Sequence, residues 1–144
     1  MCALLSQTLH EWMRLVMRRS MRNFILYAKE KNYSVAQLNA LFRIHHKGAC
    51  GISDLGEEMG VTSAAASQLL DKLVQQGLAV RTEDPLDRRN KRVALTEAGE
   101  RIVQESMAAR QSWLDRLADK LTPAEQEQVN HSLRLLIEKA ETLD

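Results

Sequence analysis

The densest charge in the 144-residue chain is the run Arg88-Arg89-Asn90-Lys91-Arg92, with four cations in five residues. Such a cluster suits a polyanion, because each Lys or Arg that neutralises a nucleic-acid phosphate releases a condensed counterion. A solvated basic loop is the plainer alternative. Other reactive residue types offer less. His10, His45, His46 and His131 form no His-x-x-x-His pair, and the adjacent His45 and His46 leave a helix on different faces, so no metal site is expected. Glu57 with Glu58, and Asp115 with Asp119, are carboxylate pairs of a kind common on helix surfaces. There is no glycine-rich phosphate loop, nucleophile elbow or Cys/His arrangement, so neither catalysis nor a cofactor is expected. Cys2 and Cys50, the only cysteines, give no disulfide framework and no zinc site. Their reactivity would depend on access and a lowered pKa, and Cys50, beside glycine and alanine in a turn, reads as the more exposed.

Composition sets the frame for these residues. Apolar residues make up 44% and charged residues 27%, the balance of a soluble globular domain rather than a disordered chain. Six glycines, two prolines and 4% aromatics, with abundant Leu, Ala, Glu, Gln, Arg and Met, favour helix. The net charge of +1 does not advertise a nucleic-acid partner, so any such role rests on local charge. Charges interrupt every apolar stretch well before the roughly 20 residues that a membrane span needs. The N-terminus lacks the basic start and apolar run of a secretory signal, so a cytoplasmic protein with no membrane partner is expected.

Something must hold the basic run in place. Leu78-Ala79-Val80-Arg81-Thr82-Glu83 and Arg92-Val93-Ala94-Leu95-Thr96 alternate apolar and polar residues, the period of a half-buried strand. Between them Asp84-Pro85 starts a turn and Asn90 tolerates unusual backbone angles, so the segment reads as a hairpin with a basic tip. Just upstream, Ile52, Leu55, Met59 and Val61 mark a short helix that stops near Gly60. Thr62 then caps a second helix that runs to the stop Gly77. Two short helices about a tight turn form a helix-turn-helix candidate, and a basic hairpin directly after them makes the winged-helix arrangement.

Longer helices flank this centre. Residues 5–31 read as one amphipathic helix, with Leu5, Leu9, Trp12, Val16, Phe24 and Tyr27 on one stripe and Arg14, Arg18 and Arg22 turned away. Ser34 and Gln37 have capping-box spacing and open a helix carrying Val35, Leu38, Leu41, Phe42 and Ile44 or His45 as far as Gly48. After Thr96, Ile102, Val103, Met107, Trp113 or Leu114, Leu117 and Leu121 form a further stripe. Thr122-Pro123-Ala124-Glu125 is a second capping box, opening a helix with Val129, Leu133, Leu136, Ile137 and Ala140. Stripes longer than a small core can cover point to helices that pair with a second copy of the chain.

Ile52-Ser53-Asp54-Leu55-Gly56-Glu57-Glu58-Met59-Gly60-Val61-Thr62, Leu69 to Leu78, Asp84-Pro85-Leu86-Asp87-Arg88-Arg89 and Val93 to Gly99 together, in this order and spacing, resemble the MarR family of bacterial transcription regulators over nearly the whole chain. The resemblance implies a mainly α fold with a small β-hairpin wing. It implies a winged helix-turn-helix part at residues 34–99, with dimerisation helices at 1–33 and 100–144, in one MarR-type unit. It also implies a homodimer that binds pseudo-palindromic double-stranded DNA, as a repressor released by a small ligand or an oxidant.

A recognition helix reads base edges from near its N-terminus. Begun at Thr62, with Val61, Ala65, Leu69 and Leu73 toward the core, it leaves Ser63, Ala64, Ser67 and Gln68 toward DNA, with Lys72 farther along. Gln68 can pair two-pronged with adenine, Ser63 and Ser67 can serve base or phosphate, and Ala64 and Ala66 offer methyl contacts. Relatives often carry Arg or Lys where Gln68 stands, so strong guanine readout is not expected. The family pattern implies that Asp87 braces Arg89, which enters the minor groove, while Arg88, Lys91 and Arg92 approach phosphates. It further implies a crevice for a small aromatic or phenolic ligand, to which Trp12, Met13, Phe42, Arg43 and His46 are assigned. Two alternatives stay open: a protein-interaction module that leaves the wing idle, and a thiol-based redox sensor using Cys2 or Cys50.

Overall fold

A computed structural model describes residues 2–86 and 91–143, with backbone alone at residue 2. The expectations placed on Asp87, Arg88, Arg89 and the Cys2 thiol lie outside the described residues. Among the described residues, six helices and three strands follow in the order α1 (Cys2–Glu30), α2 (Val35–Lys47), β1 (Cys50–Gly51), α3 (Ile52–Met59), α4 (Ser63–Gln75), β2 (Ala79–Glu83), β3 (Lys91–Leu95), α5 (Glu97–Ala118) and α6 (Pro123–Ala140). The chain divides into two compact units, 1–110 and 111–144, with the boundary inside α5.

In the first unit, Phe24 and Tyr27 of α1 join Leu38, Leu41 and Ile44 of α2, Leu55 of α3, Leu70 and Leu73 of α4, Val93 of β3 and Val103 of α5 in one core. Local chemistry delimits the helices. Ser34 and Gln37 form the reciprocal capping box that their spacing predicts, with Gln37 N donating to Ser34 Oγ at 3.1 Å and Ser34 N donating to Gln37 Oε1 at 2.8 Å. The expected hairpin is present, with Arg81 opposite Val93 and Glu83 opposite Lys91. It belongs to a three-stranded antiparallel sheet of order β1-β3-β2, because Cys50 and Gly51 pair with Val93 and Arg92. Two residues are too few for a periodic signal, so the sequence reads them as a turn. This corrects the placement of Cys50. It lies 6% exposed in a strand, and burial pushes its thiol pKa up, away from the reactive thiolate.

In the second unit, Thr122 and Glu125 make the expected capping box, with Pro123 in the first turn of α6. Gln126 Nε2 donates to the carbonyls of Ala118 and Leu121 at 3.0 and 3.1 Å, tying α6 to the end of α5. No residue of α6 is buried, and Val129, Leu133, Leu136 and Ile137 are exposed along it. Among the described residues, no helix is long and apolar enough to cross a membrane.

Candidate nucleic-acid interface

The turn between α3 and α4 is shaped by Gly60. Its φ of 65° is left-handed, and its N–H and that of Val61 return to the carbonyls of Glu57 and Gly56 at 3.0 Å each. Thr62 then accepts from Ala65 N at 3.1 Å and starts α4. Helices α3 and α4 approach closely at Gly56, where an added Cβ would stand 3.2 Å from the Cβ of Ala66.

That approach fixes which face of α4 is free. Ala66, Leu70 and Leu73 are fully buried, whereas Val61, Ala64, Ala65, Gln68 and Lys72 are exposed. The expected core face holds at Leu73, which is fully buried, and at Leu69, which packs against the core, but not at the start of the helix: Val61 and Ala65 lie outside, and Ala66 cannot offer a methyl group to a base. Three alanines in a row give no hydrophobic contrast from which to set the rotation there. Ser63, Ala64, Gln68 and Lys72 remain together on the open side, and Ser67 sits half-buried at its edge.

Ser67 faces the hairpin. The Arg81 guanidinium of β2 donates to Asp71 Oδ1 at 2.6 Å, to Ser67 Oγ at 3.3 Å and to the Ser67 carbonyl at 3.4 Å. Farther along the hairpin, Lys91 reaches Glu83 at 3.5 Å while staying largely exposed, and Arg92 donates to the Ala49 carbonyl. The basic residues flanking the tip thus have protein partners as well as solvent access.

The five residues assigned to a ligand crevice occupy four neighbourhoods. Trp12 and Met13 stand on the exposed stripe of α1. Phe42 meets Phe24 edge-on with ring centroids 6.4 Å apart, and the Arg110 guanidinium lies 3.8 Å from the Phe24 centroid and 4.9 Å from that of Phe42. Burial holds the Arg110 pKa below its usual value, and its Nε has no acceptor among the described residues. Arg43 turns to Glu58 at 3.5 Å, where Lys47 also pairs, and the Lys47 hydrogen bond holds the Glu58 carboxyl below the usual range. His46 is exposed against the His45 ring, and His45 Nδ1 lies 2.6 Å from Glu100 Oε2. The contacts of Arg81 and Arg110 join separate elements, so no local motif announces them.

Comparison with known proteins places this geometry. A profile described as the MarR family matches residues 33–91. The HTH-type transcriptional repressor MdtR of Bacillus subtilis is 31% identical over 114 residues, covering 79% of this chain and 74% of that protein. The transcriptional regulator Tm0710 from Thermotoga maritima has a similar fold, with a TM-score of 0.85 at 21% identity over 94% of this chain and 95% of that one. A mutant MarR from E. coli, crystallised with operator DNA, matches with a TM-score of 0.60 at 24% identity over 90% and 93% of the two chains. Family members of this kind are regulators rather than enzymes. The chain belongs to the MarR family and is a DNA-binding transcriptional regulator of the winged-helix type.

Proposed function

We propose that the protein is a homodimeric repressor that grips a pseudo-palindromic operator and releases it when a small aromatic or phenolic anion binds. The observation that carries this reading is the open face of α4, where Ser63, Ala64, Gln68 and Lys72 stand opposite the buried Ala66, Leu70 and Leu73, directly beside a basic hairpin. Gln68 reads adenine in the major groove, and Ser63 and Ser67 serve bases or phosphates. Arg89, braced by Asp87, enters the minor groove, while Arg88, Lys91 and Arg92 meet phosphates.

Dimerisation is supported by apolar residues without cover. Leu5, Leu9, Met13 and Met17 on α1, and Leu133, Leu136 and Ile137 on α6, are exposed. In this reading residues 1–33 and 100–144 pair with a second copy around the DNA-binding part at 34–99. Repression is supported by the similar protein MdtR, a transcriptional repressor, and operator binding by the MarR complex with operator DNA. An anionic effector suits the Phe24–Phe42–Arg110 stack, whose buried guanidinium Nε lacks an acceptor among the described residues.

Binding titrations at several salt concentrations test the reading. Gln68→Ala should cost roughly 1–3 kcal/mol on the operator and little on random duplex. Arg89→Ala should weaken both, and its slope of log affinity against log salt should become shallower by up to about one counterion. Equal loss on both duplexes for Gln68→Ala, or parent-like binding for Arg89→Ala, contradicts these roles.

A further inference from the structure

We infer that Arg81 is a positioning residue for base reading: its Nη2 bonds to Asp71 and Ser67 set how α4 is presented beside the wing, and hence how well the protein separates its operator from other DNA. The inference rests on α4 being the reading helix. Arg81 lies in the middle of β2 and grips α4 at positions one turn apart, with Asp71 Oδ1 at 2.6 Å and Ser67 Oγ at 3.3 Å. Those two residues immediately flank Gln68 and Lys72 on the helix. The backbone joins α4 to β2 through only Gln76, Gly77 and Leu78, which fixes one end of the hairpin; the guanidinium adds a second fixed point farther out. Arg81 and Asp71 are 35% and 53% exposed, so their ion pair contributes little to stability and its use is geometric.

Guanidinium chemistry suits this task. All of these contacts come from Arg81 Nη2, whose two N–H bonds are fixed in the guanidinium plane and so aim at the carboxylate and the hydroxyl in set directions, whereas the N–H bonds of a lysine ammonium rotate freely. By donating to Ser67 Oγ, Arg81 also engages the acceptor side of that hydroxyl and leaves its proton to give. Ser67 is thereby set to meet an acceptor on DNA, such as a purine N7, guanine O6, thymine O4 or a phosphate oxygen.

The test begins with a randomised duplex library enriched on the parent protein. The affinity ratio between the enriched duplex and a scrambled one is then measured for the parent, Arg81→Ala, Asp71→Asn, Arg81→Lys and the double variant Asp71→Arg/Arg81→Asp, with a thermal melt of each. Arg81→Ala and Asp71→Asn change the net charge in opposite directions, yet both should lower the ratio about tenfold. Their melting midpoints should move by no more than about 3 °C. Arg81→Lys should recover less of the ratio than the charge-reversed pair. If Arg81→Ala loses affinity equally on both duplexes while Asp71→Asn keeps the parent ratio, Arg81 is only a phosphate contact and the inference is overturned. Should Arg81→Ala fail to fold, an unchanged ratio in Asp71→Asn overturns it alone. A library that enriches no sequence on the parent protein instead overturns the assignment of α4 as the reading helix, and this inference with it.

Discussion

Gly99 shows how little freedom a single position can have. A Cβ there would stand 2.1 Å from the Leu78 carbonyl oxygen and 3.4 Å from the Leu95 Cβ, so backbone would have to move. The same corner is tied by Thr96 Oγ1 donating to the Gly77 carbonyl at 2.6 Å and by Gly99 N donating to Thr96 Oγ1 at 3.1 Å. Gly99→Ala should therefore cost about 1–3 kcal/mol or more in a urea titration, by the overpacking mechanism. Tyr27 gives a pH signature. Burial first, and then its 3.1 Å hydrogen bond to Glu105, raise its pKa above the ordinary 10.0. A raised folded-state pKa means that the unfolded chain releases this proton first as pH rises. The stability contributed by Tyr27 is thus fully present below about pH 10 and is lost progressively above it. Urea midpoints measured between pH 8 and 11 should fall less steeply for Tyr27→Phe than for the parent; equal slopes would deny Tyr27 this role.

The elements were legible to different degrees, and their chemistry explains the difference. Capping boxes at Ser34 and Thr122, the left-handed stop at Gly60 and the alternation through β2 and β3 are local signals, and each marks a boundary found in the structure. The inward Leu69 and Leu73 and the outward Gln68 of α4 are legible, but its first turn is not, because Ala64, Ala65 and Ala66 are identical side chains and only the close approach to Gly56 selects Ala66 for the inside. Strand β1 leaves no periodic signal because its two residues become a strand only by pairing with β3, and without that pairing Cys50 reads as an exposed turn residue. The Arg81–Asp71 and Arg110–Phe24 contacts were invisible for the same reason, since each joins separate elements. The cap on α4 gives a prediction at this scale. Thr62→Ala leaves the Ala65 N–H without its 3.1 Å acceptor and should cost about 1 kcal/mol in a denaturant titration, whereas Thr62→Ser should cost much less.

At the scale of the whole molecule, the exposed apolar residues require an account. Leu4, Leu5, Met13 and Met17 on α1 are 55–73% exposed, and α6 has no buried residue although leucine, isoleucine and valine recur along it. Apolar surface on this scale on a single chain favours association. Sedimentation equilibrium should give twice the chain mass of 16.4 kDa at micromolar concentration, and a polar substitution such as Leu133→Glu should shift the protein toward monomer. A stable monomer in the parent protein would contradict the dimer. Two-fold symmetry then carries over to the DNA, because each copy presents one α4 to one half-site. The most direct measurement is a footprint of the purified protein on the duplex it enriches from a random library. The account predicts two inverted protected half-sites whose centres lie about 10–10.5 bp apart or a multiple of this, with protection of both lost together on dilution. A single unpaired half-site, or protection without sequence preference, would contradict it.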